Sequence, residues 1–295
     1  MNIEYEPRFI GRCAVALGTF DGVHIGHRAV ISSAVATGLV PAVVTSDVSA
    51  REYFGRGGGR IADRDDCYNQ FEKLGIMTVM QLSFADIRNM SPTDYLTMLT
   101  DEMGANHICC GYNFRFGRDA DGDVGLITRF CQERGIGCTV CDCVSSSVGD
   151  VSSSAIRQFL ADGDVESAAV MLGRPYSISG RVIDGDKRGR TIGVPTVNQL
   201  IAADSAPLRF GVYRSRTVID GVQYNATTNV GIRPTYKADR PLAETFIIDY
   251  SGDLYGRELR IELLEFIRDE RRFASLDELE QTLKSDILRC KTERR

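Results

Sequence analysis

The stretch CAVALGTFDGVHIGH, Cys13 to His27, decides the fold of the first half of this chain. Its first five residues, Cys13 to Leu17, are all apolar, which predicts a strand that is buried on both faces of a parallel sheet. Gly18 and Gly22 then let the backbone turn tightly and come close to a ligand. The helix that we expect to begin near His24 directs its free amide groups and its dipole toward this loop. A strand, a glycine loop and a helix start in this order indicate an anion-binding site.

Further short apolar runs follow this strand, and they lack the apolar–polar alternation of a half-exposed strand. They are Val40–Thr45, Ile76–Leu82, His107–Gly111 and Ile136–Cys143. Amphipathic segments separate them: one begins at Ser91 as N-cap with Pro92 at its first position and ends at Gly104, and another runs from Asp123 to Gly135. This alternation predicts an α/β domain with a Rossmann-like, doubly wound parallel sheet, whose ligands bind at the carboxyl ends of the strands.

The residue pattern changes near Gly173, where glycine-rich turns and short β-prone runs replace the strand–helix alternation. Runs such as GVYRSRTVI, residues 211–219, and ELRIELLEF, residues 258–266, predict a small antiparallel β-barrel. A closing helix follows, with Ser275 as its N-cap and Glu278 three residues later. We therefore predict two domains, residues 1–173 and 174–295.

Composition and charge exclude several classes of protein. The 295 residues are 43% hydrophobic and 25% charged, which is typical of a globular protein, and the net charge of −5 argues against a nucleic-acid partner. The N-terminus resembles no signal peptide, and no apolar run approaches the ~20 residues that span a bilayer. We expect a cytoplasmic protein without a membrane partner, and homo-oligomerisation is left open. The cysteines include Cys138, Cys141 and Cys143, which we interpret as buried apolar side chains rather than a zinc site.

Histidine is rare in this chain, yet two of its three histidines lie in the opening stretch. His24 and His27 are three residues apart, so they share one face of the first helical turn. Imidazoles placed there can donate hydrogen bonds to phosphate oxygens. The alternative is a glycine turn with two incidental surface histidines. The third, His107, enters a predicted strand, and we expect it to be a core histidine.

Three motifs carry a resemblance to a known family. GTFDGVHIGH, residues 18–27, resembles the HxGH signature of nucleotidylyltransferases in the form found in bacterial bifunctional riboflavin kinase/FAD synthetases. GYNFRFG, residues 111–117, and VSSSAIR, residues 151–157, resemble two further motifs of that family, with Ser154 where threonine is usual. The resemblance implies that His24, His27 and Arg157 are catalytic. It also implies a nucleotide site made of Gly18, Phe20, Asp21, Gly22, His24, His27, Asn113, Ser153, Ser154 and Arg157.

The physical reading of the third motif agrees with this. Ser152 to Ser154 can cap a helix whose amides receive a phosphate, and Arg157, one turn later, carries a planar fork suited to phosphate oxygens. A serine-rich N-cap alone is typical of purely structural helix starts as well. Together with the histidine motif, it indicates a phosphate site built from two segments.

One segment departs from the family. TSDVSA, Thr45 to Ala50, stands where the family usually carries TFDPHP, and only Thr45 and Asp47 are retained. The following GRGGGR, Gly55 to Arg60, has four glycines among six residues, which predicts a flexible loop. The alternative is that its two arginines meet phosphate.

The second half resembles riboflavin kinase over residues 175–289. The matching motifs are GDKRGRTIGVPTVN (185–198), NVGIRPTY (229–236), DLYGREL (253–259) and FIRDERRF (266–273). There is no GxxxxGK[ST], so phosphate must be held by another loop, and glycines beside basic residues suit that task. The resemblance implies a nucleotide- and flavin-binding set of Gly185, Lys187, Gly189, Arg190, Gly193, Pro195, Thr196, Asn198 and Arg268.

Thr196 and Asn198 are two residues apart, so an extended chain presents both side chains on one side. Their neutral oxygens suit a Mg²⁺ ion that also binds ATP phosphates, and the resemblance assigns them that role. It also implies that Glu244 is the catalytic carboxylate; on the residues alone, a surface acid at a strand end is the alternative.

The resemblance implies an enzyme of flavin cofactor synthesis with ATP as co-substrate and Mg²⁺ as cofactor. Riboflavin would be phosphorylated to FMN, and FMN would be adenylylated to FAD with release of pyrophosphate. TSDVSA motivates the alternative of a riboflavin kinase with a degenerate adenylyltransferase half. A flavin-binding regulatory protein without turnover is the second alternative.

Overall fold

Apolar strands and the helices between them build the first half of the chain around a parallel sheet. The computed structural model describes residues 1–184, 194–232 and 240–291. The sheet consists of β1 (Asn2–Glu4), β2 (Cys13–Leu17), β3 (Val40–Ser46), β4 (Thr78–Leu82), β5 (Ala105–Gly111) and β6 (Gly137–Cys141). Their order is β1-β4-β3-β2-β5-β6, and every pairing is parallel. The predicted doubly wound sheet is confirmed.

Helices cover both faces of this sheet. They are α1 (Ile25–Val35), α2 (Ala50–Tyr53), α3 (Arg64–Lys73), α4 (Phe84–Ile87), α5 (Pro92–Thr97) and α6 (Val124–Arg134). Ser91 caps α5 as predicted, and the helix continues as a π-helical turn over Met98–Glu102. Asp123 and Gly135 cap the two ends of α6, also as predicted.

The uniformly apolar sequence of the central strands reflects packing on both faces of the sheet. In β2, Val15 and Leu17 pack into one hydrophobic cluster, while Ala14 and Ala16 pack into another on the opposite face. The edge strand β6 differs, because it is only half-buried and so is not covered on both faces. The short edge strand β1 was not predicted, since its three residues carry no apolar run.

A short hairpin, β7 (Ser145–Ser146) and β8 (Gly149–Asp150), precedes α7 (Ser153–Asp162) and α8 (Val165–Leu172). The chain divides into two compact units, Met1–Ser153 and Ser154–Arg295. Helix α8 packs on strands of the second unit, and the backbone of Arg209 donates to the carbonyl of Leu160 in α7. This division differs from residues 1–173 and 174–295 by these two helices, and those domain limits stay a prediction.

The second unit is an antiparallel sheet that curls into a half-barrel. Its strands are β9 (Tyr176–Arg181), β10 (Thr196–Leu200), β11 (Gly211–Ile219), β12 (Val222–Gly231), β13 (Leu242–Ile247) and β14 (Glu258–Arg268), in the order β10-β13-β12-β11-β14-β9. The outer strands approach each other, since Ile183 and Asn198 form a backbone bridge. Helix α9 (Leu276–Lys291) follows the last strand, and Ser275 caps it by accepting the amide of Glu278. The predicted antiparallel architecture is confirmed.

Candidate active sites

The loop after β2 is held in an unusual backbone conformation. Phe20 has a φ of 51° and is buried, and Gly22 has a φ of 78°. A Cβ on Gly22 would lie 2.8 Å from Cγ2 of Ile61, so the position requires glycine for space as well as for φ. Asp21 Oδ1 accepts the amide of Ile61 at 2.9 Å. The predicted tight turn is therefore fixed against the segment that precedes α3.

His24 and His27 form one unit at the start of α1. His24 is the N-cap residue, and its Nδ1 accepts the amide of His27 at 3.2 Å. The two rings are stacked, with centroids 3.5 Å apart and an angle of 17° between their planes. A Cβ on Gly26 would lie 3.2 Å from the His24 ring, so the glycine of the motif leaves room for that ring. The two histidines are not incidental surface residues, because His24 is only 6% exposed.

Burial decides the charge of His27. Desolvation and the neighbouring charge of His24 hold the pKa of His27 well below its ordinary value of 6.5. Its Nδ1 is buried and has no hydrogen-bond partner in the described part of the chain. The ring also contacts Phe20 edge-on, at 5.3 Å between centroids. His27 is thus a neutral imidazole at neutral pH, and it can donate one N–H to an anion.

Two other predicted residues lie near this loop or at the same edge of the sheet. Ser153, the first residue of α7, donates from Oγ to the backbone carbonyl of Asp21 at 3.3 Å. Asn113 is exposed in the turn after β5, where the amide of Phe114 donates to the carbonyl of Gly111. Ser154 and Arg157 follow Ser153 in the first turns of α7 and belong to the second unit. Their part in a phosphate site stays a prediction.

The TSDVSA segment takes a structural role at the end of β3. Asp47 Oδ1 accepts the amides of Val48 and Phe84, both at 2.8 Å, and so joins the end of β3 to the start of α4. Ser49 caps the short helix α2 in a capping box with Glu52. The sequence did not predict this helix, because its four residues are too few to show an apolar periodicity and none of them is buried.

The GRGGGR segment ends in an ion pair. Arg60 Nε donates to Glu52 Oε1 at 2.7 Å, and both side chains are partly buried. Although burial raises it, hydrogen bonds from Arg60 and Ser49 hold the pKa of Glu52 below its usual value. Arg60 is therefore bound to a carboxylate of its own chain, which weighs against the idea that it meets phosphate.

A cleft of about 390 Å³ opens at the carboxyl ends of the parallel strands. It lies next to Gly18 and Thr19 of the histidine loop and to Thr45 and Ser46 at the end of β3. Five aromatic side chains contribute to its walls: Phe54, Phe84, Tyr95, Phe114 and Phe116. A pocket of this size and lining suits a planar ring system placed beside the histidine loop.

In the half-barrel, pairing register brings three polar side chains into one row. Glu244 in β13 lies directly across from Asn198 in β10 and from Asn229 in β12. Opposed residues of neighbouring strands project to the same face, so these three share the outer face of the sheet with Thr196. Asn229 was not among the predicted site residues, because only the pairing register reveals its place beside Glu244.

The side-chain oxygen of Asn198 is buried and lacks a partner among the described residues. Asn198 is 5% exposed, and its Oδ1 is buried without a hydrogen-bond partner in residues 1–184, 194–232 and 240–291. An unpaired buried oxygen is costly unless a ligand, an ion or water satisfies it. Pro195 and Thr196 also line a cleft of about 360 Å³ that Tyr250 and Tyr255 flank, although Val197 and Thr245 in its wall belong to the opposite face of the sheet from Asn198 and Glu244. This end of the half-barrel is thus the candidate second site.

Several predicted residues of the second site lie outside the described residues: Gly185, Lys187, Gly189, Arg190 and Gly193. Arg268 is described, and it is bound to Asp286 of α9, with Nη2 and Nε of the guanidinium 2.8 and 3.1 Å from Oδ2. This ion pair attaches α9 to β14. A direct role of Arg268 in ligand binding stays a prediction.

Other predicted features can be placed briefly. His107 Nε2 lies 2.8 Å from Thr139 Oγ1 between β5 and β6, so the ring has a partner, but the residue is only half-buried and the expected core position is wrong. All nine cysteines are free thiols, and the expected burial of three of them is wrong, since Cys138 and Cys141 are half-buried and Cys143 is exposed. Within the described ranges, no group of three or more His, Cys, Asp or Glu side chains could hold a metal ion. None of the helices in those ranges is long and apolar enough to cross a membrane.

Comparisons with known proteins match both halves of the chain. The family model for FAD synthetase matches residues 7–155, and the model for riboflavin kinase matches residues 172–293. The bifunctional riboflavin kinase/FMN adenylyltransferase of Bacillus subtilis is 33% identical over 286 residues, which cover 93% of this chain and 90% of that protein. The protein of the same name from Escherichia coli K12 is 32% identical over 285 residues, covering 94% and 91%.

A solved structure is similar over the whole length. A crystal structure described as a macrolide-efflux protein from Streptococcus pneumoniae superposes with a TM-score of 0.90 at 25% identity, covering 99% of this chain and all of the other. Its name differs from those of the curated relatives, whereas both family models agree with them. That structure is therefore evidence for the fold of this chain, whereas the family models and the curated relatives are the evidence for its function.

Proposed function

This chain belongs to the family of bifunctional riboflavin kinases/FMN adenylyltransferases and makes FMN and FAD, and we propose that two separate sets of its residues carry the two steps. Its substrates are ATP, riboflavin and FMN. The family membership favours two activities over the alternatives of a kinase alone or a flavin-binding protein without turnover.

For adenylylation, we assign ATP to the loop between β2 and α1. The first amides of α1 and the paired imidazoles of His24 and His27 present donors to phosphate oxygens without a lysine. An oxygen of the FMN phosphate attacks the α-phosphorus of ATP in line, and the bond to pyrophosphate breaks. The residues named here position the phosphates and stabilise the charge on their oxygens. The aromatic cleft beside Gly18 and Thr19 receives the flavin ring.

Phosphorylation of riboflavin takes place, in this proposal, on the outer face of the half-barrel. Glu244 accepts the proton of the 5′-hydroxyl of riboflavin as its oxygen attacks the γ-phosphorus of ATP and ADP leaves. The row of Asn198, Glu244 and Asn229 is the observation that carries this assignment. It places a carboxylate next to a buried oxygen, on Asn198, that still lacks a partner.

Magnesium fits the same place. The donors that Thr196 and Asn198 offer are neutral oxygens, which a hard divalent cation prefers, and the buried Oδ1 of Asn198 gains a partner when the ion binds. Bound Mg²⁺ would neutralise charge on the ATP phosphates. Thr196 and Asn198 are the residues that would hold it.

The test is a product assay with the full chain. Purified protein is incubated with riboflavin, ATP and Mg²⁺, and the flavins are separated at successive times. We expect FMN to appear first and FAD to follow, and we expect FMN supplied directly to give FAD. Formation of FMN without FAD would contradict the adenylylation assignment. Flavin binding without ATP consumption would contradict both assignments.

A further inference from the structure

Arg88 occupies a distinctive position on the wall of the aromatic cleft. It follows α4 directly, and its guanidinium carbon lies 5.1 Å from the ring centroid of Tyr53 and 5.3 Å from that of Phe54. The Phe84 ring closes the group, at 5.2 Å from Tyr53 and 6.4 Å from Phe54. Two ring faces thus orient one cation, and such contacts leave the N–H edges of a guanidinium available to acceptors.

The other arginines of this cleft are already bound to the chain. Arg118 donates from Nε and Nη2 to the carbonyl of Asn89, at 3.2 and 2.9 Å. Arg115 lies 3.8 Å from the carboxylate of Asp123. The backbone amide of Arg88 donates to the carbonyl of Phe84, but its guanidinium makes no hydrogen bond or ion pair with any residue in ranges 1–184, 194–232 and 240–291. The five N–H donors of its guanidinium therefore lack an acceptor among these residues.

The surrounding rings indicate what kind of molecule brings that acceptor. Tyr53 is 44% exposed and Phe54 is 53% exposed, which is high for large aromatic side chains. Phe54 and Phe84 both line the cleft. Exposed ring surface beside an oriented cation fits a planar ligand that is apolar on its faces and carries acceptor atoms on its edge. The ring system of a flavin has this chemistry, with carbonyl oxygens on its pyrimidine edge.

We propose that Arg88 donates hydrogen bonds to the carbonyl oxygens of the flavin ring of FMN, and so determines flavin recognition in the adenylylation step. This inference rests on the proposed function, which places the flavin ring in the cleft. A contact with the FMN phosphate is the competing outcome. The ring is favoured because the phosphate must reach the ATP bound at His24 and His27, whereas Arg88 belongs to the aromatic wall.

The test compares FMN with lumiflavin, which has the ring but no ribityl chain and no phosphate. FAD formation is measured with Arg88→Gln and Arg88→Lys, and lumiflavin serves as a competitive inhibitor against FMN. We expect Arg88→Gln to raise KM for FMN and Ki for lumiflavin by the same factor, on the order of 10- to 100-fold for the loss of charged hydrogen bonds. Arg88→Lys keeps the charge but not the planar fork, so its loss should be smaller.

Two readouts separate recognition from disturbance of the wall. KM for ATP in the FAD step and the thermal unfolding temperature should change little in Arg88→Gln. The matched control is Arg134→Gln, because Arg134 also lies over a ring, at 4.9 Å from the centroid of Phe130, but does not line the cleft. We expect this control to bind FMN and lumiflavin as the unchanged protein does.

Three results would overturn the proposal. They are an FMN effect without a lumiflavin effect, which would point to the phosphate; no effect on either flavin; and an equal effect in the Arg134→Gln control. Failure of the proposed function looks different, because the unchanged protein would then form no FAD at all.

Discussion

The ring of His24 fixes the position of His27 in two ways, by accepting its amide at Nδ1 and by stacking against its imidazole. Since Nδ1 of His24 is an acceptor, a neutral His24 carries its proton on Nε2. The residue is the N-cap of α1, and in the proposed function its imidazole also donates a hydrogen bond to a phosphate oxygen. A shorter cap residue could perform the first task but not the second.

Replacement of His24 can separate these tasks. Asparagine is a good N-cap, so His24→Asn should keep α1 stable while it removes the imidazole, and His24→Ala should lose both. We expect His24→Asn to lower kcat for FAD formation by about 10²- to 10³-fold, the range for loss of one donor to a charged transition state. Unfolding in urea checks the cap, and His24→Ala should be less stable by about 1 kcal/mol. FMN formation is the internal control, and its loss in His24→Asn would contradict the assignment.

The low pKa of His27 predicts how stability depends on pH. The unfolded chain protonates this imidazole near pH 6.5, whereas the folded chain resists protonation to a much lower pH. Below pH 6.5 the unfolded state therefore binds more protons, and the free energy of unfolding falls as pH falls, by roughly 1 kcal/mol per pH unit from this residue. Urea unfolding at pH 7.5, 6.5 and 5.5 measures the slope. His27→Gln should reduce it, and an unchanged slope would contradict the buried neutral state.

Glu244 is expected to serve only one of the two reactions. Glu244→Gln removes the proton acceptor but keeps the size of the side chain, so FMN formation should slow by about 10²- to 10⁴-fold. FAD formation from supplied FMN should be retained, and both are measured by separating the flavins. The matched control is Glu258→Gln, since Glu258 is an exposed glutamate at the start of β14. An equal loss in the control, or an unchanged rate in Glu244→Gln, would remove Glu244 from this role.

Gly22 and Gly38 offer a matched pair for testing the histidine loop. Both have a positive φ, 78° and 75°, but a Cβ on Gly22 would meet Ile61 at 2.8 Å, whereas Gly38 has nothing within 4 Å. Gly38→Ala should cost about 1 kcal/mol through backbone strain alone. Gly22→Ala should cost more because Ile61 or the loop must also move. Urea unfolding of both variants measures the difference, and equal losses would mean that the contact with Ile61 yields without cost.

The sequence predicted the main strands and helices of both units because buried strands consist of apolar residues. Strand β2 packs on both faces, so all five of its residues are apolar, and caps such as Ser91 and Asp123 satisfy helix amides with their own side chains. These signals are local. The histidine pair was found for the same reason, since both residues lie on one helical turn.

What the sequence did not reveal depends on partners that are distant in the chain. In the sequence, Glu52 and Arg60 are separate charged residues on either side of the glycine loop, whereas in the structure they form an ion pair at 2.7 Å. Asn229 lies beside Glu244 only because β12 pairs with β13. Arg88 stands out only because its guanidinium lies over the rings of Tyr53 and Phe54. Register and tertiary contact of this kind leave no periodic signal in a single sequence.

The row of Asn198, Glu244 and Asn229 has a consequence for refolding. Neighbouring residues of a strand alternate between faces, so a slip of one residue in β13 would turn Glu244 inward and bring the buried Thr245 to the outer face. If Glu244 is the proton acceptor proposed above, a slipped chain could form a complete ladder and still be unable to phosphorylate riboflavin. Recovery of FMN formation after dilution from denaturant would therefore time the correct alignment of β13 with its two neighbours, which the spectroscopic return of β-structure alone does not report.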